Sequence, residues 1–267
     1  FNNKKINIEK ISSNISIRAY LNNNYGIKNL SISTKENNIK DLIYIARSIN
    51  NNPNFLILSQ LIKEGNIKAT LNIQFDEKGK IKPNYNLIGS IENGKINFLK
   101  YGIFEKIQLN FQYKEKNLKF ANINFNLVNN KFYSDFIEIN KIKSDYFIKG
   151  NFKNDKSNIN IKLLNLIQIK KNEFFKTDNS EFENVSEFSL KLNKNFKLQN
   201  LEVNSKLNIY NLDYTKNIED LDKYLSSYKE NIKFKKINLN INYNNKKLKI
   251  NGNGIYKLSN NEDQIIF

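Results

Sequence analysis

Ser226-Ser227-Tyr228-Lys229 has the Ser-x-x-Lys spacing in which a lysine amine, one helical turn from a serine, can take its proton and make it an acyl-enzyme nucleophile. Lysine is so abundant here that this spacing arises by chance several times over, and the companion motifs of that enzyme class are absent. Asp220 and Asp222 would supply a carboxylate pair for acid–base work, but at i, i+2 on a helix they diverge. Gly252-Asn253-Gly254 lacks the third glycine and the following helix of a dinucleotide loop. Glu173, Asp178, Glu181 and Glu183 cluster without the spacing of a calcium loop. Cysteine and histidine are both absent, which removes thiol nucleophiles, Cys/His zinc sites and a histidine base. No catalytic residue, metal ligand or cofactor site is assigned, and the chain is expected not to be an enzyme.

Lys and Arg outnumber Asp and Glu by 43 to 26 in 267 residues, a net charge of +17. A basic excess of that size invites a nucleic-acid reading. Only Arg18 and Arg47 are arginines, however, and the lysines are spread evenly. Arginine supplies the bidentate contacts that such recognition favours, so a solvated Lys/Asn face is the better account and no nucleic-acid partner is expected. The absence of Met, at position 1 included, is the basis for expecting a piece of a longer chain. No apolar run approaches the roughly 20 residues of a membrane-spanning helix, and no signal peptide opens the sequence.

Strands dominate the hydrophobic pattern. The clearest stretch is Phe104 to Leu127, where Ile107, Leu109, Phe111 and Tyr113 alternate, Lys114-Glu115-Lys116-Asn117 turns the chain, and Leu118, Phe120, Ile123, Phe125 and Leu127 return. One side of this hairpin is apolar; the other is Asn, Lys and Gln. The pattern recurs along the chain. Ile15, Ile17, Ala19 and Leu21 read as an early strand. Ile67 to Phe75 and Tyr85 to Ile91 read as two more, with Asn93-Gly94 as a hairpin turn before a strand at Ile96 and Phe98. Ile159, Ile161 and Leu163 close the central block. Helical spacing appears at about 38–62, interrupted by Pro53, and again at 217–229. The stretch 171–184 has no sustained period and marks a possible internal boundary in one β-rich domain. Ile107, Leu109, Asn110, Tyr113, Leu118 and Lys119 match Ile237, Leu239, Asn240, Tyr243, Leu248 and Lys249 in register, a loose internal repeat.

Three short helical stretches cannot cover a dozen or more one-sided strands. The remaining apolar face must pack on a second sheet, close as a barrel, or be covered by something that is not this protein.

Tyr85-Asn86-Leu87-Ile88-Gly89-Ser90-Ile91-Glu92-Asn93-Gly94-Lys95-Ile96, then Phe104 to Phe111, with Tyr146 to Phe152 repeating the first half, resembles the AsmA-like (TamB/YhdP-type) bridge-like lipid transfer proteins of the bacterial envelope. The resemblance is best over 65–163 and weaker over 186–258, and it does not extend to the helical insert at 38–64. It implies an elongated, twisted, largely antiparallel sheet forming an open apolar groove. It further implies a periplasmic segment of an inner-membrane-anchored protein, with phospholipid acyl chains as cargo, envelope proteins as partners and no catalytic residues.

The expected groove lining is Ile67, Leu71, Ile73, Phe75, Leu87, Ile91, Ile107, Leu109, Phe111, Ile123, Phe125 and Ile148. The expected job is shielding acyl chains during lipid transport between the inner and outer membranes. A structural or cell-surface β-sandwich and an outer-membrane barrel segment stand as alternatives.

Overall fold

The computed structural model describes residues 4–22, 25–49, 52–98, 102–159, 161–166, 175–176, 180–215, 232–258 and 261–266. The 217–229 helix expectation, with Ser226, Lys229, Asp220 and Asp222, lies outside them.

Among these residues the chain is mainly β, with few short helices. The strands are β1 (Ile8–Ile15), β2 (Ile27–Thr34), β3 (Asn37–Asn38), β4 (Ile62–Gln74), β5 (Asn86–Asn97), β6 (Ile103–Lys114), β7 (Asn117–Leu127) and β8 (Asn130–Ile142). They continue as β9 (Asp145–Asn158), β10 (Phe175–Lys176), β11 (Glu181–Leu192), β12 (Leu198–Tyr210), β13 (Leu212–Tyr214), β14 (Ile232–Asn244), β15 (Lys247–Leu258) and β16 (Asn261–Ile266). All belong to one antiparallel open sheet that runs β1-β2-β4-β5-β6-β7-β8-β9-β11-β12-β14, with β15 and β16 beyond β14. β3 pairs with β4, and β13 lies against β14 past the end of β12, carrying β10 on its other side. The order is nearly the order of the sequence. Short turns join β6 to β7, β7 to β8, β8 to β9 and β14 to β15.

The chain divides into two units: residues 1–99, 103–126 and 135–147, and residues 100–102, 127–134 and 148–267. Strands β8 and β9 contribute residues to both, and 171–184 falls wholly in the second.

The helices are α1 (Ile17–Leu21), α2 (Ile39–Ile49), α3 (Pro53–Leu61) and α4 (Ile161–Leu166). α2 and α3 fill the expected 38–62 block. Asn38 Oδ1 accepts from the Lys40 amide at 2.9 Å to cap α2, and Pro53 occupies the first turn of α3, where its missing N–H costs nothing. Ile39 and Ile43 of α2 are buried. Gly65 is required where α2 meets β4: at φ 140°, a Cβ there would stand 2.9 Å from Ile39 Cδ1 and 3.1 Å from the Gly94 backbone.

Three local expectations are corrected. Residues 15–21 are not a strand; β1 ends at Ile15, and Ser16 Oγ accepts from the Ala19 amide at 3.3 Å to start α1. Ile161 and Leu163 lie in α4 and not in a strand. Short apolar runs carry no period long enough to separate the two forms. Asn93-Gly94 does not reverse the chain either. Asn93 has φ 52°, as an Asn-Gly pair allows, but the register steps from Ile91↔Leu109 to Gly94↔Ile107 and β5 continues. That is a bulge, which inserts residues and bends the strand without ending it.

Bulges explain the phase changes of the apolar pattern. Lys106 (φ 52°), Asn122 (φ 52°) and Lys236 (φ 48°) each sit where apolar positions switch parity, so the same face stays apolar on both sides. The repeat seen in the sequence has this backbone signature twice. Lys106 precedes Ile107 as Lys236 precedes Ile237, and each hairpin then turns through two positive-φ residues, Glu115-Lys116 (51°, 68°) and Asn245-Lys246 (46°, 68°). Such a turn matches the strand twist but disfavours residues with a Cβ. Glu115→Asn with Lys116→Gly is therefore expected to stabilise the fold by about 1 kcal/mol, read as a higher urea midpoint at unchanged m.

At the far edge, Lys235 beside Glu262 holds its carboxyl below the usual range, first by hydrogen bonding and then by charge. A depressed carboxylate contributes above its unfolded pKa and loses that contribution as pH falls through the folded value. β16 amides should lose exchange protection on acidification through that window, by a small amount since the pair is solvated, and Glu262→Gln should abolish the pH step.

Candidate functional site

Directly opposed residues on neighbouring strands share a face, with Cβ atoms about 4.5–5.5 Å apart. In the first unit the register assembles rows across the strands: Ile11–Ile32–Leu71–Leu87–Tyr113, Ser13–Leu30–Ile73, Asn37–Ile67–Ile91–Leu109, and Ala69–Gly89–Phe111. Ile62–Ile96–Phe104 forms a further row beyond the bulges. The rows on the opposite face, Asn72–Asn86–Lys114 and Lys68–Ser90–Asn110, are polar.

Seven of the twelve expected lining residues, namely Ile67, Leu71, Ile73, Leu87, Ile91, Leu109 and Phe111, are brought onto one face by this register. Ile107 opposes Gly94 and is buried, as is Ile123 of β7. Protein already covers both side chains. The Phe125 ring lies 5.3 Å from Phe104, which lies 5.3 Å from Phe98, so an aromatic line runs from the residue just past β5 across β6 to β7. Phe75, just past β4, packs its ring 5.5 Å from Tyr25. Ile148 stands on β9 in the second unit, two residues before Gly150.

Gly89 keeps the first face open for Phe111. A Cβ on Gly89 would lie 2.7 Å from Phe111 Cζ, so the ring lies over the glycine. At the end of the Leu71–Leu87–Tyr113 row the Tyr113 phenol is held protonated beyond its ordinary range, by its hydrogen bond to Tyr85 and then by burial. The polar limit of the face is thus the Tyr113 phenol with its Tyr85 partner.

In the second unit the corresponding rows are Phe182–Ile209–Ile237, Asn184–Leu207–Leu239–Gly252, Ser186–Ser205–Ile241–Ile250 and Phe188–Val203–Tyr243–Leu248. Here a polar cluster interrupts the apolar face. Asn184 and Ser186 are buried, Asn184 Oδ1 accepts from Ser205 Oγ at 2.6 Å and Ser186 Oγ at 3.0 Å, and the two hydroxyls are 2.8 Å apart. Reading the sequence strand by strand missed this. The signal was two serines at apolar positions of adjacent strands, visible only once the register is known. The first unit carries the more uniformly apolar face.

The apolar side is only partly covered. Ile67, Leu71, Ile73, Leu87, Ile91, Leu109 and Phe111 are all half-buried, and Ile11 is exposed. α2 and α3 lie against β4, where Ile39 and Ile43 are buried. Among the described residues no strand lies outside the one sheet. Nor do they hold a group of three acidic side chains placed for a metal ion. Of the acidic residues expected to cluster, Glu173 and Asp178 lie outside the described residues, Glu181 pairs with Lys156 at 2.6 Å and Glu183 accepts from Tyr210 at 2.9 Å.

No helix among the described residues is long and apolar enough to cross a membrane. No protein-family model, curated protein or solved structure matches the chain.

Proposed function

We propose that this chain is a non-enzymatic sheet segment whose apolar face shields phospholipid acyl chains while their head groups stay in water. The observation that carries the reading is a set of ordered, register-matched apolar rows on one face whose side chains stay half-exposed to solvent. Each CH₂ group withdrawn from water contributes about 0.8 kcal/mol, so an acyl chain laid along such rows gains what a second protein layer would otherwise supply. Aliphatic and Phe side chains, with few polar groups between them, suit a cargo that has no hydrogen bonds to satisfy.

On this reading the segment belongs to an AsmA-like protein of the bacterial envelope. It acts in the periplasm, in a chain anchored to the inner membrane, and passes lipid between the inner and outer membranes with envelope proteins as partners. Phospholipid should remain with the protein through detergent-free purification and be detected by mass spectrometry of the extract. A folded, lipid-free preparation that also fails to take up added phospholipid would sink the proposal, leaving an interaction domain as the better account.

A further inference from the structure

The short helix α3 has a composition that its surroundings do not explain. Phe55, Leu56, Ile57 and Leu58 are consecutive, and steps of about 100° carry them round nearly the whole circumference. Leu56, Ile57 and Leu58 are all exposed, Ile57 by 53%, and Ile49 at the end of α2 is exposed by 80%. A helix that is apolar all round belongs in a protein core or in lipid. Within the described residues α3 lies against α2, β4 and β5 with Phe55 half-buried, but Leu56, Ile57 and Leu58 span an arc of about 200° that stays exposed. A groove on a protein partner takes one stripe of a helix and would leave the rest of α3 in water, whereas a bilayer interface surrounds it.

Charge points the same way. Lys40 and Arg47 are seven residues apart and share a face of α2, and Lys63 follows α3 directly. Of the nearby carboxylates, Asp41 is paired with Lys4 at 2.6 Å, while Glu64 stands opposite Lys95, whose amine is bonded to Glu105 at 2.9 Å, so the excess cations here are Lys40 and Arg47. The segment therefore offers an apolar plug with a cationic border, on a chain of net charge +17. Nine residues of helix extend about 14 Å, under half the roughly 30 Å of a hydrocarbon core, so the plug lodges in one leaflet.

From this we infer that α3, bordered by Lys40, Arg47 and Lys63, is a docking element that inserts into the surface of a membrane containing anionic phospholipid. The inference stands apart from the acyl-chain proposal, since it concerns where the chain touches a bilayer and not what the sheet carries.

The protein contains no Trp, so Leu56→Trp creates a single tryptophan, excited apart from the 14 tyrosines, at an exposed position. With vesicles of phosphatidylcholine and phosphatidylglycerol its emission should shift to the blue and be quenched by lipids brominated on the acyl chain. Pure phosphatidylcholine vesicles should give a weaker response, and added salt should weaken binding to the anionic ones. Ile57→Asp placed in the same background should lower vesicle binding by about tenfold or more with an unchanged far-UV spectrum, and Leu58→Asp should do the same. An emission spectrum indifferent to vesicles overturns the proposal. So does a blue shift that follows protein concentration without vesicles, which would assign the helix to a second copy of the chain. Protein that retains co-purified phospholipid but gives no vesicle response rejects the docking element alone.

Discussion

Leu109→Asp and Phe111→Asp are each expected to strip phospholipid from the purified chain while leaving its far-UV β signal in place. Both side chains stand on the apolar face of β6, Leu109 ending the Asn37–Ile67–Ile91 row and Phe111 ending the Ala69–Gly89 row. They are half-buried, so in the lipid-free protein a carboxylate at either position still reaches water. Its cost falls on the complex, where an acyl chain would lie across it. Placing an aspartate in hydrocarbon costs about 3 kcal/mol, close to a hundredfold in occupancy. Asn110 sits between them on the polar face, opposite Ser90, and Asn110→Asp should keep its lipid. The measurement is phospholipid per protein by mass spectrometry for all three variants, and equal loading in all of them would sink the acyl-chain proposal.

Gly89→Ala should destabilise the first unit by about 2–3 kcal/mol. A Cβ at Gly89 would stand 2.3 Å from the Lys68 carbonyl oxygen and 3.0 Å from Ala69 Cα, besides its approach to Phe111. A flexible ring can turn aside, but a neighbouring strand's carbonyl cannot, so β4 and β5 must part. Gly252 in the second unit has the same environment, with Asn238 O at 2.2 Å. Gly254, two residues on, is the control, because its nearest neighbour is Ile237 Cα at 3.3 Å and its φ is ordinary. Urea midpoints should fall clearly for Gly89→Ala and Gly252→Ala and little for Gly254→Ala. Equal shifts in the three would show that strand approach is not what these glycines serve.

Much of this architecture is legible from local pattern. Period-2 alternation from Ile107 to Tyr113 assigns both the strand and its apolar side, because a pleated strand sends successive side chains to opposite faces. The helix at 39–49 is legible for the same reason at a different period, and Asn38 and Pro53 mark the starts of α2 and α3. Where pattern is short it misleads: Ile17 to Leu21 alternates over too few residues, and the Ser16 hydroxyl that starts a helix there is a single cap.

Asn93-Gly94 shows a deeper limit. A positive φ serves a hairpin turn and a bulge equally well. The choice depends on whether the flanking stretches pair with each other or with third strands, here β4 and β6, and pairing partners are not encoded at the site itself. The serines at 186 and 205 likewise meet only through register, 19 residues apart in the chain.

The apolar side of the Phe104–Leu127 hairpin is a property of its own residues. Whether a second layer covers that side is decided by every other strand, since burial is a relation between surfaces and not a property of one. Only the tertiary structure put those strands edge to edge in a single sheet, with α2 and α3 against β4 and the Leu71–Leu87 and Leu109–Phe111 positions left half-buried.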